Sequence, residues 1–110
     1  WENASPTSSF SAQTISISST PYNFYLARFQ LFDVTEWFVN VILAPNEPTV
    51  AALTTTFGNK AGGEIHNRMI TIDSNSVSFG FGKMQQGTAE AERNDCMIPM
   101  KIYGIKGVTV

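Results

Sequence analysis

The chain has 110 residues, 43% of them hydrophobic and 12% aromatic, a composition that fits one globular domain and excludes a disordered segment. Charged residues supply only 15%, well below the roughly 25% of an ordinary soluble domain. With seven Lys and Arg against nine Asp and Glu, the chain lacks the basic surface that phosphate backbones require, so nucleic acid is not an expected partner. No apolar run reaches the ~18 residues of a membrane span, and no basic-then-apolar signal opens the chain, so membrane insertion is not expected either. Because the first residue is Trp1, the chain is expected to be a piece of a longer polypeptide.

Residues 1–9 (WENASPTSS) are rich in Ser, Thr, Asn and Pro and read as a lead-in linker with little to bury except Trp1. Residues 10–110 read as a single β domain. In 10–18 (FSAQTISIS) apolar residues alternate with Ser, Thr and Gln, as on a strand with one wet face. Residues 22–32 (YNFYLARFQLF) are apolar on both faces, Phe24 and Leu26 on one and Tyr25, Ala27, Phe29 and Leu31 on the other. Two apolar faces imply a central strand, or one whose outer face is covered.

Residues 36–43 (EWFVNVIL) form the next expected strand, stopped by a loop that carries Pro45 and Pro48. In 50–57 (VAALTTTF) the first residues suit a helical turn, but the run of Thr54, Thr55 and Thr56 favours a strand. Residues 59–63 (NKAGG) supply a hairpin turn. Residues 65–72 then place His66, Arg68, Ile70 and Ile72 on one face, and a turn at 73–75 leads into 77–81 (VSFGF). Residues 82–94, the longest polar stretch, read as a mobile loop or a loop with one helical turn at 89–92. A last strand covers 95–103, where Pro99 calls for an edge position or a bulge. About seven to eight short strands with turns every 8–12 residues predict an antiparallel, jelly-roll-like β-sandwich.

Chemistry-bearing groups are sparse. Cys96, the one cysteine, excludes an intrachain disulfide and reads as a small buried hydrophobe on a strand. His66 is the one histidine and reads as a strand residue facing solvent or a neighbour rather than half of a nucleophilic pair with Cys96. The carboxylates Asp33 and Glu36, and Glu90, Glu92 and Asp95, read as solvated loop charge without the apolar setting of a catalytic acid. No Gly-x-Ser-x-Gly elbow occurs. Gly80 and Gly82 fit a bulge or bend, not a phosphate cradle. No catalytic residue, metal ligand or cofactor is expected, and the chain is read as not an enzyme. Aromatic residues are more plentiful. Most, Trp37 and Phe38 included, are expected in the core. Trp1, Tyr22, Tyr25 and Tyr103 pair a ring with a polar handle and suit a sugar-stacking platform or a subunit contact.

Both ends of the chain carry a recognisable pattern. Residues 1–15 (WENASPTSSFSAQTI) resemble the start of a β domain found at the C-terminus of bacteriophage tail, baseplate and minor structural proteins, where Trp-x-Asn-x-x-Pro leads into Ser-x-Phe-x-x-Gln-Thr. Residues 98–106 (IPMKIYGIK) are similar to its final strand, apolar-Pro-x-x-Ile-Tyr-Gly-Ile, and residues 77–82 (VSFGFG) to its internal Val-x-Phe-Gly-x-Gly segment. Residues 33–59 and 82–94 depart from it. The resemblance implies the distal domain of a virion tail or fibre protein, a homotrimer that contacts other tail proteins and binds the host cell surface, through glycan or protein. On that reading the ligand-binding candidates are Tyr22, Tyr25, Trp37 and Tyr103, together with the 82–94 stretch. The alternative from another class is a domain that caps or trimerises a fibre, or decorates the particle, without binding the host.

Overall fold

A computed structural model describes residues 1–6, 8–17, 22–31, 38–55, 63–73 and 75–107. Among these residues nine strands run in chain order: β1 Gln13–Ser16, β2 Phe24–Gln30, β3 Phe38–Leu43, β4 Thr49–Thr55, β5 Glu64–Ile72, β6 Ser76–Phe79, β7 Lys83–Gln86, β8 Ala89–Glu92 and β9 Ile98–Ile105. They form two antiparallel sheets in a β-sandwich arrangement, the class expected from the turn spacing. One sheet has the order β3-β2-β9. The other runs β1-β6-β5-β7-β8, with β4 on the free edge of β5. No helix occurs among the described residues, so none is long and apolar enough to cross a membrane.

The two apolar faces of residues 22–32 did imply a central strand: β2 lies between β3 and β9. Tyr25, Ala27 and Phe29 point into the core, where they meet Leu43, Ala51, Ile70, Ile72, Val77, Phe79 and Ile102. Phe29 of one sheet reaches Phe79 of the other edge-on, with ring centroids 6.4 Å apart, and Phe10 packs on Phe79 at 5.1 Å. Each buried aromatic residue of this kind contributes about 1.5–3 kcal/mol of transfer free energy. Strand β4 settles the ambiguity of residues 50–55 in favour of a strand, and 56–57 lie outside the described residues.

The central element is β5. Its inward face carries His66, Arg68, Ile70 and Ile72, all buried. One edge pairs with β4 from Glu64 to Ile70, while the other is shared end to end, with Ile70–Ile72 on β6 and Ile65–Asn67 on β7. The crossover between these partners falls at Gly80–Gly82. There the Arg68 guanidinium, 0% exposed, enters the interior. Its Nε donates to the Met97 carbonyl at 2.8 Å, Nη1 to the Gly80 carbonyl at 2.8 Å, and Nη2 to the carbonyls of Cys96 at 3.1 Å and Asn94 at 3.4 Å. A side chain on Gly82 would collide with Arg68 Nη2 and with the Arg93 and Cys96 carbonyls. Met97 adopts a left-handed φ of 50° and is held there by bonds on both sides, its N–H to the Leu31 carbonyl at 2.8 Å and its own carbonyl from Arg68.

Three sequence expectations are corrected. Residues 82–94 are not a loop, mobile or helical: β7 and β8 form a hairpin through Gly87, whose φ of 59° suits a tight two-residue turn. Both hairpin strands are partly or fully solvent-facing, so no apolar alternation marks them. With this hairpin, nine strands lie among the described residues, against the seven to eight expected. Cys96 is buried as expected, but it sits in the connection before β9 and not on a strand. Phe38, expected in the core, stands on the outer face at 38% exposure, because Val39, Val41 and Leu43 take the inward positions of β3. The 59–63 turn lies outside the described residues except for Gly63, which has a positive φ of 71°.

Residues 1–3, within the stretch expected as a linker, dock on the free side of β9. The Asn3 N–H donates to the Met100 carbonyl at 2.9 Å, the Ile102 N–H to the Trp1 carbonyl at 3.0 Å, and Asn3 Nδ2 to the Pro99 carbonyl at 2.7 Å. Pro99 sits at the bulge where the register slips between Arg28 and Phe29 of β2, as its missing N–H demands.

The Arg68 cage yields the first prediction. Its acceptors are backbone carbonyls that no substitution can remove, so Arg68→Met strands them and should cost at least ~3 kcal/mol in urea unfolding, despite its apolar fit. A loss under ~1 kcal/mol would refute the cage's structural weight.

Candidate functional site

Three of the four candidate residues converge. Tyr22, Tyr25 and Tyr103 line one groove of about 280 Å³, with Trp1, Ile17, Ile102 and Gly104 completing the wall. Trp37 lies outside the described residues. Neighbouring strands explain the convergence: Tyr25 of β2 is paired directly with Gly104 of β9, and Leu26 with Tyr103. Trp1 is held beside them by the bonds its backbone makes to Ile102, including one from its terminal amino group at 3.3 Å.

The rings differ in what they offer. Tyr25 is buried and supports Tyr22 edge-on, with centroids 5.8 Å apart at 74°. The Tyr22 ring lies directly over Gly104, where any Cβ would overlap it. Gly104 is therefore required for close approach rather than for an unusual φ. Trp1 leans on Phe10 and Phe79, with centroids at 6.3 and 5.8 Å, and keeps over a third of its surface exposed. Tyr103 projects outward and is about half exposed. The groove thus has a rigid aromatic floor, two accessible rings and, among the described residues, no charged side chain in its wall, which suits stacking on a neutral polar ring.

Sequence reasoning missed Gly104, Ile17 and Ile102 as groove residues. The Tyr-Gly pair at 103–104 was a signal, since a glycine inside a strand marks a place where another group comes close. A second depression of about 240 Å³ shares Tyr103 and is lined by Glu2, Asn3, Arg28, Phe38 and Lys101 among others. Its residues were not singled out, because cross-strand neighbours are invisible until the register is known.

Among the described residues, groups with catalytic potential do not assemble. His66 is buried and faces the Glu64 carboxylate at 3.2 Å, so the neighbour and not solvent is its environment. The Cys96 thiol contacts the Arg93 and Lys83 carbonyls at 3.0 and 3.4 Å, and burial pushes its pKa up to about 11. Burial likewise pulls the Arg68 guanidinium down to about 10, which leaves it protonated at neutral pH. Glu90, Glu92 and Asp95 are spread over separate contacts, with Lys83, Asn94 and Arg93 respectively. Among the described residues no three His, Cys, Asp or Glu side chains converge to hold a metal. Asp33 and Glu36 lie outside the described residues.

Two carboxylates are held below their ordinary pKa. Asp73 accepts from the backbone N–H groups of Asn75 and Ser76 and from the Ser76 hydroxyl, which organises the turn between β5 and β6. Asp95 is lowered chiefly by its bidentate bonds from Arg93, both 2.8 Å. Comparison with protein-family models, with curated proteins and with solved structures finds no match to this chain.

Three outcomes follow from this geometry. Because the folded-state values of Asp73 and Asp95 are depressed, the stability they contribute is present above the unfolded carboxyl value near ~4 and is lost as pH falls through the folded values. Urea midpoints should therefore be flat from neutrality to about pH 5 and drop below about pH 4, with a shallower drop in Asp73→Asn. The Cys96 thiol should resist a disulfide reagent at pH 8 in the folded protein and react at the rate of global unfolding; fast native labelling would contradict its burial. Gly104→Ala should displace the Tyr22 ring, seen as the loss of the upfield ring-current shifts of its neighbours by NMR.

Proposed function

We propose that this domain is the distal, non-enzymatic domain of a bacteriophage tail or fibre protein, and that it binds glycan on the host cell surface through the groove of Trp1, Tyr22 and Tyr103. The observation that carries this reading is the aromatic groove itself. Two accessible rings stand on a floor fixed by Tyr25 and Gly104, in a wall without charged side chains among the described residues. Stacking on the apolar faces of a sugar needs such rings, and the low charge of the chain leaves neutral hydrogen-bonding groups to meet its hydroxyls. The resemblance of residues 1–15, 77–82 and 98–106 to the phage domain supplies the setting, a virion appendage in contact with other tail proteins.

A second reading, assembly without host binding, is favoured by a separate observation. The outer face of the β3-β2-β9 sheet exposes Phe24, Ile42 and Tyr103, with Ile42 at 67%, and the opposite sheet exposes Val50, Ile65, Met69 and Phe81. A cyclic trimer joins two different patches of the same chain, and this chain has two. Burial of such faces between protomers also explains why the domain manages with so few charges.

The two readings part in one pair of measurements on the isolated domain. Glycan-array and whole-cell binding should be saturable and fall at least ~tenfold in Tyr22→Ala, a loss of about 1.4 kcal/mol. A trimer in light scattering with no binding to any glycan or host cell assigns the domain to capping instead. Turnover of host polysaccharide by the purified domain would overturn both.

A further inference from the structure

The second depression, beside the aromatic groove, has the chemistry of an anion subsite. Arg28 on β2 and Lys101 on β9 are directly paired across the strands and point to the same outer face. Like charges placed opposite one another destabilise a sheet unless something answers them. Lys101 is answered only in part, by Glu2 at 3.7 Å, an exposed carboxylate on a terminal segment. Among the described residues no acceptor answers Arg28: its guanidinium lies 3.9 Å over the Phe38 ring, and its Nε is buried without a hydrogen bond. An Arg fixed flat on an aromatic ring, with its donor edge unspent, is arranged to receive a planar or bidentate oxyanion. With Glu2 counted, the three side chains sum to a single positive charge, which matches a monoanion and not a polyanion.

Tyr103 forms a wall of both depressions, so a ligand stacked in the first lies next to the cations of the second. We propose that the cleft of Arg28, Lys101, Phe38 and Asn3 binds the monoanionic group of an acidic saccharide, a sugar carboxylate or a sugar-linked phosphodiester, so that the glycan recognised by this domain is anionic. This rests on the glycan reading above and adds its charge. Arg28 takes the anion in a forked pair of charge-assisted hydrogen bonds and Lys101 contributes its ammonium. Asn3, whose Nδ2 is committed to the Pro99 carbonyl, presents its Oδ1 to the Ser5 N–H and so stiffens the rim. Glu2 competes with the ligand for Lys101.

The test is calorimetric titration of the isolated domain with a galacturonate trisaccharide, its fully methyl-esterified counterpart, and a short glycerol-phosphate oligomer. The acid is expected to bind at least ~tenfold more tightly than the ester, as a charge-assisted pair requires. Stronger binding of the galacturonate identifies the carboxylate source, and stronger binding of the glycerol-phosphate oligomer the phosphodiester. Arg28→Gln should erase the preference for the acid without lowering the melting temperature, since it removes a like-charge neighbour of Lys101, and should leave any binding of the ester intact. Lys101→Gln is expected to weaken the acid in the same direction, and Glu2→Gln to tighten it. Equal affinity for acid and ester in the unmodified protein, or a preference that survives Arg28→Gln, overturns the anionic subsite while leaving a neutral glycan groove standing. Failure of every glycan, charged or neutral, on the array overturns both.

Discussion

A buried cation organises this sandwich. Arg68 leaves β5 on the same face as Ile70 and Ile72, yet it ends in a cage of backbone carbonyls from 80, 94, 96 and 97 rather than against a carboxylate. A desolvated guanidinium in that position is tolerable only because its donors meet backbone carbonyls. The arrangement fixes three things together: the break between β6 and β7 along one edge of β5, the glycine at 82, and the left-handed backbone at Met97 from which β9 departs. Phe10 closes the cage, with the Arg68 guanidinium 5.5 Å from its ring centroid.

From Met97 onward the consequences reach the surface. Its N–H to the Leu31 carbonyl aligns β9 with β2, and the bulge at Pro99 sets which β9 side chains turn outward. Past the bulge, Ile102 enters the core while Lys101 and Tyr103 face out, each beside a particular residue of β2. The first residues of the chain then add themselves to the other side of β9 and carry Trp1, Glu2 and Asn3 to the same region. Every residue of the aromatic groove and of the cationic cleft except Ile17, Tyr22, Pro6 and Phe38 comes from β2, β9 or this docked segment. A surface assembled from three distant stretches of sequence is thus set by one register, itself anchored by the interior cage.

Several elements were legible beforehand because their burial is periodic. The alternation in 65–72 gave the inward face of β5 residue for residue, and the double apolar face of 22–32 placed β2 at the centre of its sheet. Pro99 announced its bulge through the donor it lacks. The β7–β8 hairpin escaped notice for the converse reason. A strand wet on both sides has no hydrophobic period, and Gly87 alone does not announce a turn. Phe38 was misplaced because an aromatic side chain is more often inside than out; only the position of Val39 and Leu43 against the core decides its face.

The charge fraction of 15%, the single cysteine, the strand-and-turn rhythm and the surplus of Tyr and Trp are properties of composition and local pattern, and the sequence by itself determined from them an all-β domain poor in catalytic groups and rich in stacking ones. What only the tertiary structure decided is which of those groups meet. That Arg68 is caged by carbonyls, that Tyr22 rests on Gly104, and that Arg28 stands beside Lys101 each depends on strand register and on contacts across the sandwich. Such contacts join residues tens of positions apart, and no local propensity encodes them, because the free energy that selects them is released only when the two sheets close on a common core.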